Sequence, residues 1–523
     1  MMPRGCRRSI EGLRRASACL AIVFAFNAPG MAANDRLKDC GSDKLEATRR
    51  FVACTDVIED DAASSIDRAI GYLNRALASV GTGELDRAIP DYGRAIDLDP
   101  SNAFAYRMRA EAWIKKGDND HAIADYDRAI RIEPMDASTY RDRADAWASK
   151  SFFKRAIGEY DLAVGLDPNN ALGYSNRGVL WLHAGNADQA IADFNHALNL
   201  DPVDAKAFSN RGLARAQKGD IDQAIADYNR AIEVDPKYAP AYDNRGLAFA
   251  SKRQNDRAIA DYDLAIASDP GYAGAFHDRA KVWVRKGQLN RALADYDQAI
   301  ILNPNYADAY VGRCYAWVYK EEYSRASLDC GEALRLSYNY ADAYAGLALA
   351  SIHKTNYANA FTMYGEAIRL DRKFPETYLN RGVLGFYFGS HSNLQADLGM
   401  AVKLEPGNVY NSIWLDLARR SEGLPSILGD APLDISKWPA PIVRLLMGDL
   451  TADAVLDAAG DPDETTRKAQ VCEANFYTAE FQRLRHRDEE ALRLYRLALR
   501  DCPRDFIEYT AAIMALRSSG HAP

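Results

Sequence analysis

Residues 207–236 read AFSNRGLARAQKGDIDQAIADYNRAIEVDP, and this stretch decides the fold. Two segments with the apolar spacing of a helix are separated by the turn sequence Lys218-Gly219-Asp220. Pro236 ends the second segment, because proline donates no backbone hydrogen bond and pushes the preceding residue out of helical geometry. The stretch therefore predicts two antiparallel helices joined by a short turn.

The same pattern recurs every 34 residues along most of the chain. The prolines that end the second helix keep this step at Pro100, Pro134, Pro168, Pro202, Pro236, Pro270 and Pro304. The step then falls on Tyr338 and Arg372 and returns to proline at Pro406. A fixed period of this length predicts stacked structural units, each of which contacts mainly its neighbours.

Further columns keep the same step and explain how the helices pack. The first helix carries an aromatic column at Tyr72, Tyr106, Tyr140, Tyr174, Phe208, Tyr242, Phe276, Tyr310, Tyr344 and Tyr378. Four residues later stand small residues, at Ala76, Ala110, Ala144, Gly178, Gly212, Gly246, Ala280, Cys314, Ala348 and Gly382. The second helix carries aromatic rings at Tyr92, Tyr126, Tyr160, Phe194, Tyr228, Tyr262, Tyr296 and Tyr364. Small residues let two helix backbones approach closely, and each buried ring stabilises the stack by about 1.5–3 kcal/mol.

These columns resemble the tetratricopeptide repeat (TPR) family over ten consecutive units, residues 69–408. The resemblance implies an all-α fold, a right-handed α-α superhelix (TPR solenoid), and a role in binding other proteins. We expect residues 34–68 to form an N-terminal capping segment and residues 409–471 an irregular helical region. Residues 472–523 are expected to add a final TPR-like unit, beginning at Cys472, and a capping helix, which completes a helical C-terminal cap region.

The stretch from Thr377 onward is also similar to the periplasmic TPR lipoproteins of the NlpI type. The matching phrases are Tyr378-Leu379-Asn380-Arg381-Gly382, Ile413-Trp414-Leu415, Ala474-Asn475-Phe476-Tyr477 and Phe506-Ile507-Glu508-Tyr509. This resemblance implies an adaptor that brings envelope proteases and peptidoglycan hydrolases together. The chain departs from that group in having many more repeats and no acylation cysteine after its apolar run.

Residues 1–33 have the pattern of a signal peptide. Five arginines precede a short apolar run at 16–28, and small residues then allow cleavage near Ala32 or Ala33. The run is too short to span a bilayer, so we expect a soluble protein exported to the bacterial periplasm. A net charge of −8 argues against nucleic acid and anionic lipid as partners.

Six cysteines remain after the predicted cleavage, and they form three local pairs. Cys314 and Cys330 interrupt the small and the second aromatic columns of one unit. The other pairs are Cys472 with Cys502, and Cys40 with Cys54. We predict disulfides at these pairs, which persist in oxidising compartments; the alternative is buried free thiols. The absence of a Cys-x-x-Cys motif and eight scattered histidines do not favour a metal site.

No catalytic motif occurs: there is no phosphate loop, Gly-x-Ser-x-Gly, His-Glu-x-x-His or dinucleotide fingerprint. One Asp per unit recurs at Asp91, Asp125, Asp193, Asp227, Asp261, Asp295, Asp329 and Asp397. One Arg recurs beside it at Arg75, Arg109, Arg143, Arg177, Arg211, Arg245, Arg279, Arg313 and Arg381. Because nearly every unit has both, we interpret them as a structural ladder of surface ion pairs, worth ~0.5 kcal/mol each. We therefore predict a protein without enzymatic activity, cofactor or metal.

Partner binding is expected where the first helices differ from unit to unit. The resemblance implies an inner face that includes Arg107, Glu111, Arg141, Asp145, Ser175, Ser209, Asp243, His277, Lys281, Tyr315, Tyr319 and His353. Both charges and aromatic rings suit an extended peptide or a folded protein. The predicted function is a protein-interaction scaffold of the bacterial cell envelope. Two alternatives are a structural subunit of an envelope assembly, and a glycan- or peptide-binding protein with its site in residues 409–471.

Overall fold

The computed structural model describes residues 37–42, 44–389 and 394–523, and the predicted signal peptide lies outside these ranges. The described residues group into two compact units, one ending at Asp269 and one running from Pro270 to Pro523. The elements found in the described ranges are helices joined by short turns. The predicted all-α fold built of stacked helix pairs is thereby confirmed within each unit.

In the first unit, helical residues 37–40 precede an unpaired helix, α1, at Ala47–Glu59. Six helix pairs follow, which are α2 (Ser65–Gly81) with α3 (Leu85–Leu98), α4 (Ala103–Lys116) with α5 (Asn119–Ile132), α6 (Ala137–Ser149) with α7 (Phe153–Leu166), α8 (Ala171–His183) with α9 (Ala187–Leu200), α10 (Ala205–Gln217) with α11 (Ile221–Val234), and α12 (Ala239–Ser251) with α13 (Asn255–Ser268). Even numbers are the first helices of their pairs and odd numbers the second.

The second unit continues the repeat with four pairs and then departs from it. The pairs are α14 (Ala273–Arg285) with α15 (Leu289–Leu302), α16 (Ala307–Tyr319) with α17 (Tyr323–Leu336), α18 (Ala341–His353) with α19 (Tyr357–Leu370), and α20 (Pro375–Phe388) with α21 (Leu394–Leu404). The remaining helices are α22 (Val409–Ser421), α23 (Ala440–Met447), α24 (Ala452–Ala458), α25 (Glu464–Leu484), α26 (Asp488–Asp501) and α27 (Ile507–Ser518).

Local sequence sets the helix ends. Ser64 and Asp67 form a capping box at the start of α2, and Asn102 accepts a hydrogen bond from the backbone N–H of Ala105 at the start of α4. Gly117 ends α4 in the left-handed conformation, with φ of 87°, which glycine adopts without steric cost. The helix α25 was expected from Cys472 but begins two turns earlier, because Asp463 caps it by accepting a hydrogen bond from Thr466.

The second-helix aromatic rings form the core between the helices of each pair. They are among the largest fully buried side chains of the protein. At Gly212 an added Cβ would lie 2.6 Å from a ring carbon of Tyr228. The predicted role of the small column, close approach of one helix to its partner, is therefore confirmed.

The Arg–Asp ladder is present but buried, which corrects the expectation of weak surface pairs. Arg177 donates from Nε and Nη2 to both oxygens of Asp193 at 2.8 and 2.6 Å. Its Nη1 donates to Asp161 of the preceding unit at 2.7 Å. The carboxyl groups of the ladder are less than a tenth exposed as residues, so each bidentate pair clamps two helices in a desolvated position.

Three disulfides join the predicted pairs. They are Cys40–Cys54, Cys314–Cys330 and Cys472–Cys502, with Cα atoms 4.6, 5.5 and 4.7 Å apart. The second bridge joins α16 to α17, where other units place a small residue against an aromatic ring. None of the helices in the described ranges is long and apolar enough to cross a membrane.

Candidate partner-binding face

The residues predicted to bind partners lie on the first helices of both units, and each unit is described separately. We call the N-terminal face the set Arg107, Glu111, Arg141, Asp145, Ser175, Ser209 and Asp243, on α4, α6, α8, α10 and α12. We call the C-terminal face the set His277, Lys281, Tyr315, Tyr319 and His353, on α14, α16 and α18.

The two arginines of the N-terminal face are already paired with carboxylates. Arg107 Nη1 donates to Ser138 Oγ at 2.6 Å and to Asp136 Oδ2 at 3.2 Å. Arg141 donates from Nε and Nη2 to Asp142 Oδ1 at 3.1 and 2.8 Å. Both guanidinium groups are half-buried, so they are held in place rather than free to swing into solvent.

The acidic side chains of the same face have fewer hydrogen bonds and ion pairs than its arginines to offset their burial. Asp145 accepts a short hydrogen bond from the Tyr160 hydroxyl, and Glu111 lies on the preceding first helix at the equivalent position. Burial, assisted by the nearby charge of Asp142, raises the pKa of Glu111. Burial also raises the pKa of Asp145 to about 6, although the Tyr160 hydrogen bond opposes that shift. This end of the face therefore holds carboxylates whose ionised forms are poorly stabilised.

Two serines continue the face beyond the charged end. The Ser209 hydroxyl accepts a hydrogen bond from Asn244 Nδ2 at 3.1 Å. The Ser175 hydroxyl occupies the equivalent position one unit earlier, is only 8% exposed, and has no hydrogen-bond partner among the described residues. Asp243 is also buried on this face, next to Asn244. The Ser175 hydroxyl is therefore a buried polar group whose hydrogen-bonding capacity the described residues leave unused, and its oxygen is enclosed by the protein.

Sequence reasoning missed the apolar part of the N-terminal face. Val179, Leu213 and Leu247 occupy in α8, α10 and α12 the position that Glu111 and Asp145 occupy in α4 and α6. Val179 and Leu213 are half-buried, and Leu247 is 39% exposed. The 34-residue step from Glu111 and Asp145 identifies them in the sequence.

An amide row accompanies these apolar residues. Asn176, Asn210 and Asn244 follow the step of 34 and lie half-buried on α8, α10 and α12. Asn176 hydrogen-bonds with Tyr160, and Asn244 donates to Ser209. Side-chain amides both donate and accept hydrogen bonds, which suits them to contact a peptide backbone.

The C-terminal face begins with buried or engaged residues. His277 is 6% exposed, lies near the rings of Tyr296 and Tyr306, and has its Nδ1 2.9 Å from Asp278 Oδ1. Lys281 Nζ is 3.7 Å from the same carboxyl oxygen and is half exposed. This stretch of the face is therefore internally paired.

Tyr315 and Tyr319 follow on α16. The Tyr315 hydroxyl donates to the carbonyl oxygen of Asp342 at 3.2 Å, and its ring centroid is 6.3 Å from that of Tyr319. Arg504, from the C-terminal part of the chain, donates to the Tyr319 carbonyl at 3.4 Å. The end of α16 is thus in contact with the segment before α27.

Glu321 strengthens this contact at the turn after α16. Its carboxylate lies 2.8 Å from Arg504 Nη1 and accepts a hydrogen bond from the Tyr509 hydroxyl at 2.9 Å. His353, at the end of α18, is 7% exposed and stacks on Tyr323 with ring centroids 4.6 Å apart. Arg517 of α27 donates to the carbonyl oxygens of Ile352 and His353 at 3.2 and 3.4 Å.

The C-terminal helix therefore covers part of the C-terminal face. Burial, followed by the positive charge of Arg517, lowers the pKa of His353 to about 4. Because α27 is itself buried over most of its length, it is an integral part of the second unit. Sequence reasoning placed Tyr319 and His353 on an open face, and the contacts made by α27 were not anticipated.

Buried carboxylates in the C-terminal region have structural partners. Asp416 accepts hydrogen bonds from Ser426 Oγ at 2.6 Å and from the Ile427 backbone N–H at 2.8 Å. Glu473 accepts from Trp438 Nε1 at 2.5 Å and from the Tyr410 hydroxyl at 2.7 Å. These contacts tie the irregular residues 422–439 to the surrounding helices.

Comparisons with known proteins agree with this geometry. A family model described as tetratricopeptide repeat matches residues 73–137 and 141–205, a second with the same description matches 239–272, and a model described as TPR repeat matches 212–253. No curated protein gives a match to this chain.

Solved structures with similar helix pairs include three of different size. A tetratricopeptide repeat protein from Parabacteroides merdae is 19% identical, with 48% of this chain and 98% of that chain covered and a TM-score of 0.42. YrrB, described as a TPR protein with an unusual peptide-binding site, is 24% identical, with 36% and 96% covered and a TM-score of 0.31. The APC/C hetero-tetramer Cut9–Hcn1 is 14% identical, with 74% and 88% covered and a TM-score of 0.44.

The period of 34 residues, the stacked helix pairs and the family-model matches lead to one identification. Tetratricopeptide repeats build most of this chain's first unit, and TPR proteins act as protein–protein interaction scaffolds.

Proposed function

We propose that this chain is an exported, non-catalytic adaptor of the bacterial cell envelope that holds peptide segments of other proteins on its N-terminal face. One observation carries the proposal. The N-terminal face keeps half-buried polar and apolar side chains, such as Asn210 and Leu213, and a partly exposed Leu247. The C-terminal face, by contrast, is partly covered by α27.

Export is supported by two independent features. The first 33 residues have the charge and apolar pattern of a signal peptide. Three disulfides join cysteines that lie close in sequence, and such bonds persist in oxidising compartments such as the periplasm. We propose periplasmic localisation on this basis.

Recruitment of peptidoglycan hydrolases or proteases is the finer part of the proposal. It is supported by the similarity of the stretch from Thr377 onward to NlpI-type proteins. A non-catalytic role is supported by the structural use of the buried acids Asp416 and Glu473, whose oxygens receive hydrogen bonds from the fold itself.

The test is affinity purification of the periplasmic form after crosslinking, with mass spectrometry of the proteins recovered. We expect hydrolases or proteases crosslinked to α4–α12, and reduced recovery with Leu213→Glu, which places a charge in the apolar part of the face. The matched control is Lys116→Glu, at an exposed lysine paired with Asp86. Stoichiometric co-purification would instead indicate a structural subunit, and recovery of glycan alone would refute the adaptor proposal.

A further inference from the structure

We infer that the N-terminal face selects an extended peptide with one cationic side chain followed or preceded by apolar ones. The cation lies between Glu111 and Asp145, and the apolar side chains cover Val179, Leu213 and Leu247. This inference rests on the proposed function, because it names the partner chemistry of the same face. Its basis is that one helical position is acidic in α4 and α6 and aliphatic in α8, α10 and α12.

At the charged end of the face, the carboxylates of Glu111, Asp136, Asp142 and Asp145 outnumber the cations of Arg107, Lys115 and Arg141. Arg107 is bonded to Asp136 and Arg141 to Asp142, so both guanidinium groups already have acidic partners. Glu111 has no such partner among the described residues, and Asp145 is bonded only to a neutral tyrosine hydroxyl. A cationic side chain from a partner would supply the missing counter-charge.

The electrostatics of these two acids agree with that geometry. Burial raises the pKa of both, and Asp142 adds to the shift at each. The positive charges of Arg107, Lys115 and Arg141 oppose the shift at Glu111, and the Tyr160 hydrogen bond and Arg141 oppose it at Asp145 without cancelling it. A cation bound between them favours their ionised forms and lowers both pKa values again. Because Asp145 has a pKa of about 6 in the free protein, binding of the cation weakens as the pH falls below that value.

The other end of the face lacks charge at the same helical position. Val179, Leu213 and Leu247 replace the acids in three successive first helices. Their side chains are partly accessible, and an apolar partner residue placed on each removes further apolar surface from water. The change from acid to aliphatic residue therefore divides the face into a cation end and an apolar end.

A second observation points to a bound peptide rather than to a charge cluster alone. Ser175 takes on α8 the position that Arg141 takes on α6, at the junction of the two ends. Its hydroxyl is buried without a partner, whereas the equivalent hydroxyl of Ser209 bonds to Asn244. A peptide backbone passing the junction can bond to the half-buried amide of Asn210, and it can bond to the Ser175 hydroxyl once the side chains over that hydroxyl move aside.

The spacing of the helices gives the spacing of the peptide. The first helices of neighbouring units lie side by side, as the hydrogen bond from Arg107 of α4 to Ser138 of α6 indicates. Neighbouring helices are about 8–10 Å apart, and an extended chain rises about 3.3 Å per residue. Each unit therefore spans about three peptide residues. The expected pattern is a lysine, an apolar residue about four positions away, and further apolar residues about three positions apart, in one of the two chain directions.

The test is a binding measurement on the full chain with labelled peptides of about twelve residues. Each peptide carries one lysine and three leucines at the expected spacing, in both chain directions, and a matched version carries acetyl-lysine. We expect at least ten-fold tighter binding of one lysine peptide over its acetylated version. The double variant Glu111→Gln/Asp145→Asn should abolish this preference and leave the affinity of the acetylated peptide unchanged.

Controls separate selectivity from general loss of binding. Asp188→Asn removes an exposed carboxylate paired with Lys218 and should leave the lysine preference intact. Leu213→Ser should weaken the lysine and acetyl-lysine peptides equally. An unchanged lysine preference in the double variant, or no binding of any designed peptide, overturns the inference. If crosslinking still places partner proteins on this face, the proposed function stands while the inference on chemistry falls.

Discussion

Removing one member of a buried Arg–Asp pair should unfold its repeat locally, whereas replacing both members should not. Arg177 and Asp193 are a suitable pair, with side chains 16% and 6% exposed and two hydrogen bonds between them. Arg177→Leu leaves the Asp193 carboxylate buried without its partner. Breaking a buried pair in this way costs about 3–5 kcal/mol.

The chain itself contains the control for this experiment. In the unit that holds α18 and α19, the two ladder positions are Leu347 and Met363, so both charges are absent together. The double variant Arg177→Leu/Asp193→Met copies that unit. We expect it to cost less than about 1.5 kcal/mol, because an apolar pair of similar volume needs no counter-charge.

Hydrogen exchange resolves the effect at the level of single helices. A loss of about 3–5 kcal/mol corresponds to roughly 150- to 5,000-fold faster exchange for amides in α8 and α9 that open locally. Lys218→Met, which breaks an exposed pair with Asp188, should leave protection unchanged. A double variant as destabilised as the sum of the two single variants would refute the reasoning.

Three further predictions concern packing, disulfides and pH. Gly212→Val should destabilise the protein by about 1–3 kcal/mol in denaturant unfolding, because a Cβ at this position lies 2.6 Å from a ring carbon of Tyr228. The control Gly158→Val places its side chain in open space and should not destabilise the protein. Replacing both Cys314 and Cys330 by Ala should lower the melting temperature, because the bridge that is lost contributes about 3 kcal/mol to the free energy of unfolding for a loop of this length. Added reductant should then lower the melting temperature of this variant less than that of the native chain. Burial and a neighbouring carboxylate raise the pKa of Glu508 above its value in the unfolded chain. The free energy of unfolding should therefore fall as the pH rises above about 4.3. Glu508→Gln should make the melting temperature less dependent on pH and raise it at pH 7.

Each of these has an outcome that contradicts it. Equal effects of the two glycine substitutions would mean that the ring moves aside without cost. A melting temperature that ignores the Cys314–Cys330 bridge would mean that the bridge constrains little in the unfolded chain. A melting profile of Glu508→Gln that follows the native one across the same pH range would mean that Glu508 is ionised without penalty.

The fold was predictable because its determinants repeat. Each helix pair ends at a proline or its equivalent, and a column that recurs every 34 residues must serve the same contact in each unit. Cys314 and Cys330 could be paired from sequence because they replace two columns that touch in every other unit. The buried state of the Arg–Asp ladder was missed, because repetition shows that a contact exists but not how much water it excludes.

The cover over the C-terminal face was not predictable for a different reason. Arg504 contacts Tyr319 and Arg517 contacts His353 across 185 and 164 residues of sequence. These contacts occur once and lie outside the repeat, so no recurring column in the sequence predicts them. They depend on how α22 to α27 fold back within the second unit, and that path is set by packing among several helices rather than by a local pattern.

The two faces together indicate where function is to be sought in a repeat protein of this kind. Positions that stay constant, such as Arg177 and Asp193, are bonded to each other and largely buried within the fold, so they are poorly placed to bind a partner. Positions that vary are available only where the chain does not cover them itself. His353 varies but lies beneath α27, whereas Leu247 varies and is 39% exposed. Variation and accessibility must coincide, and in this chain they coincide on the N-terminal face.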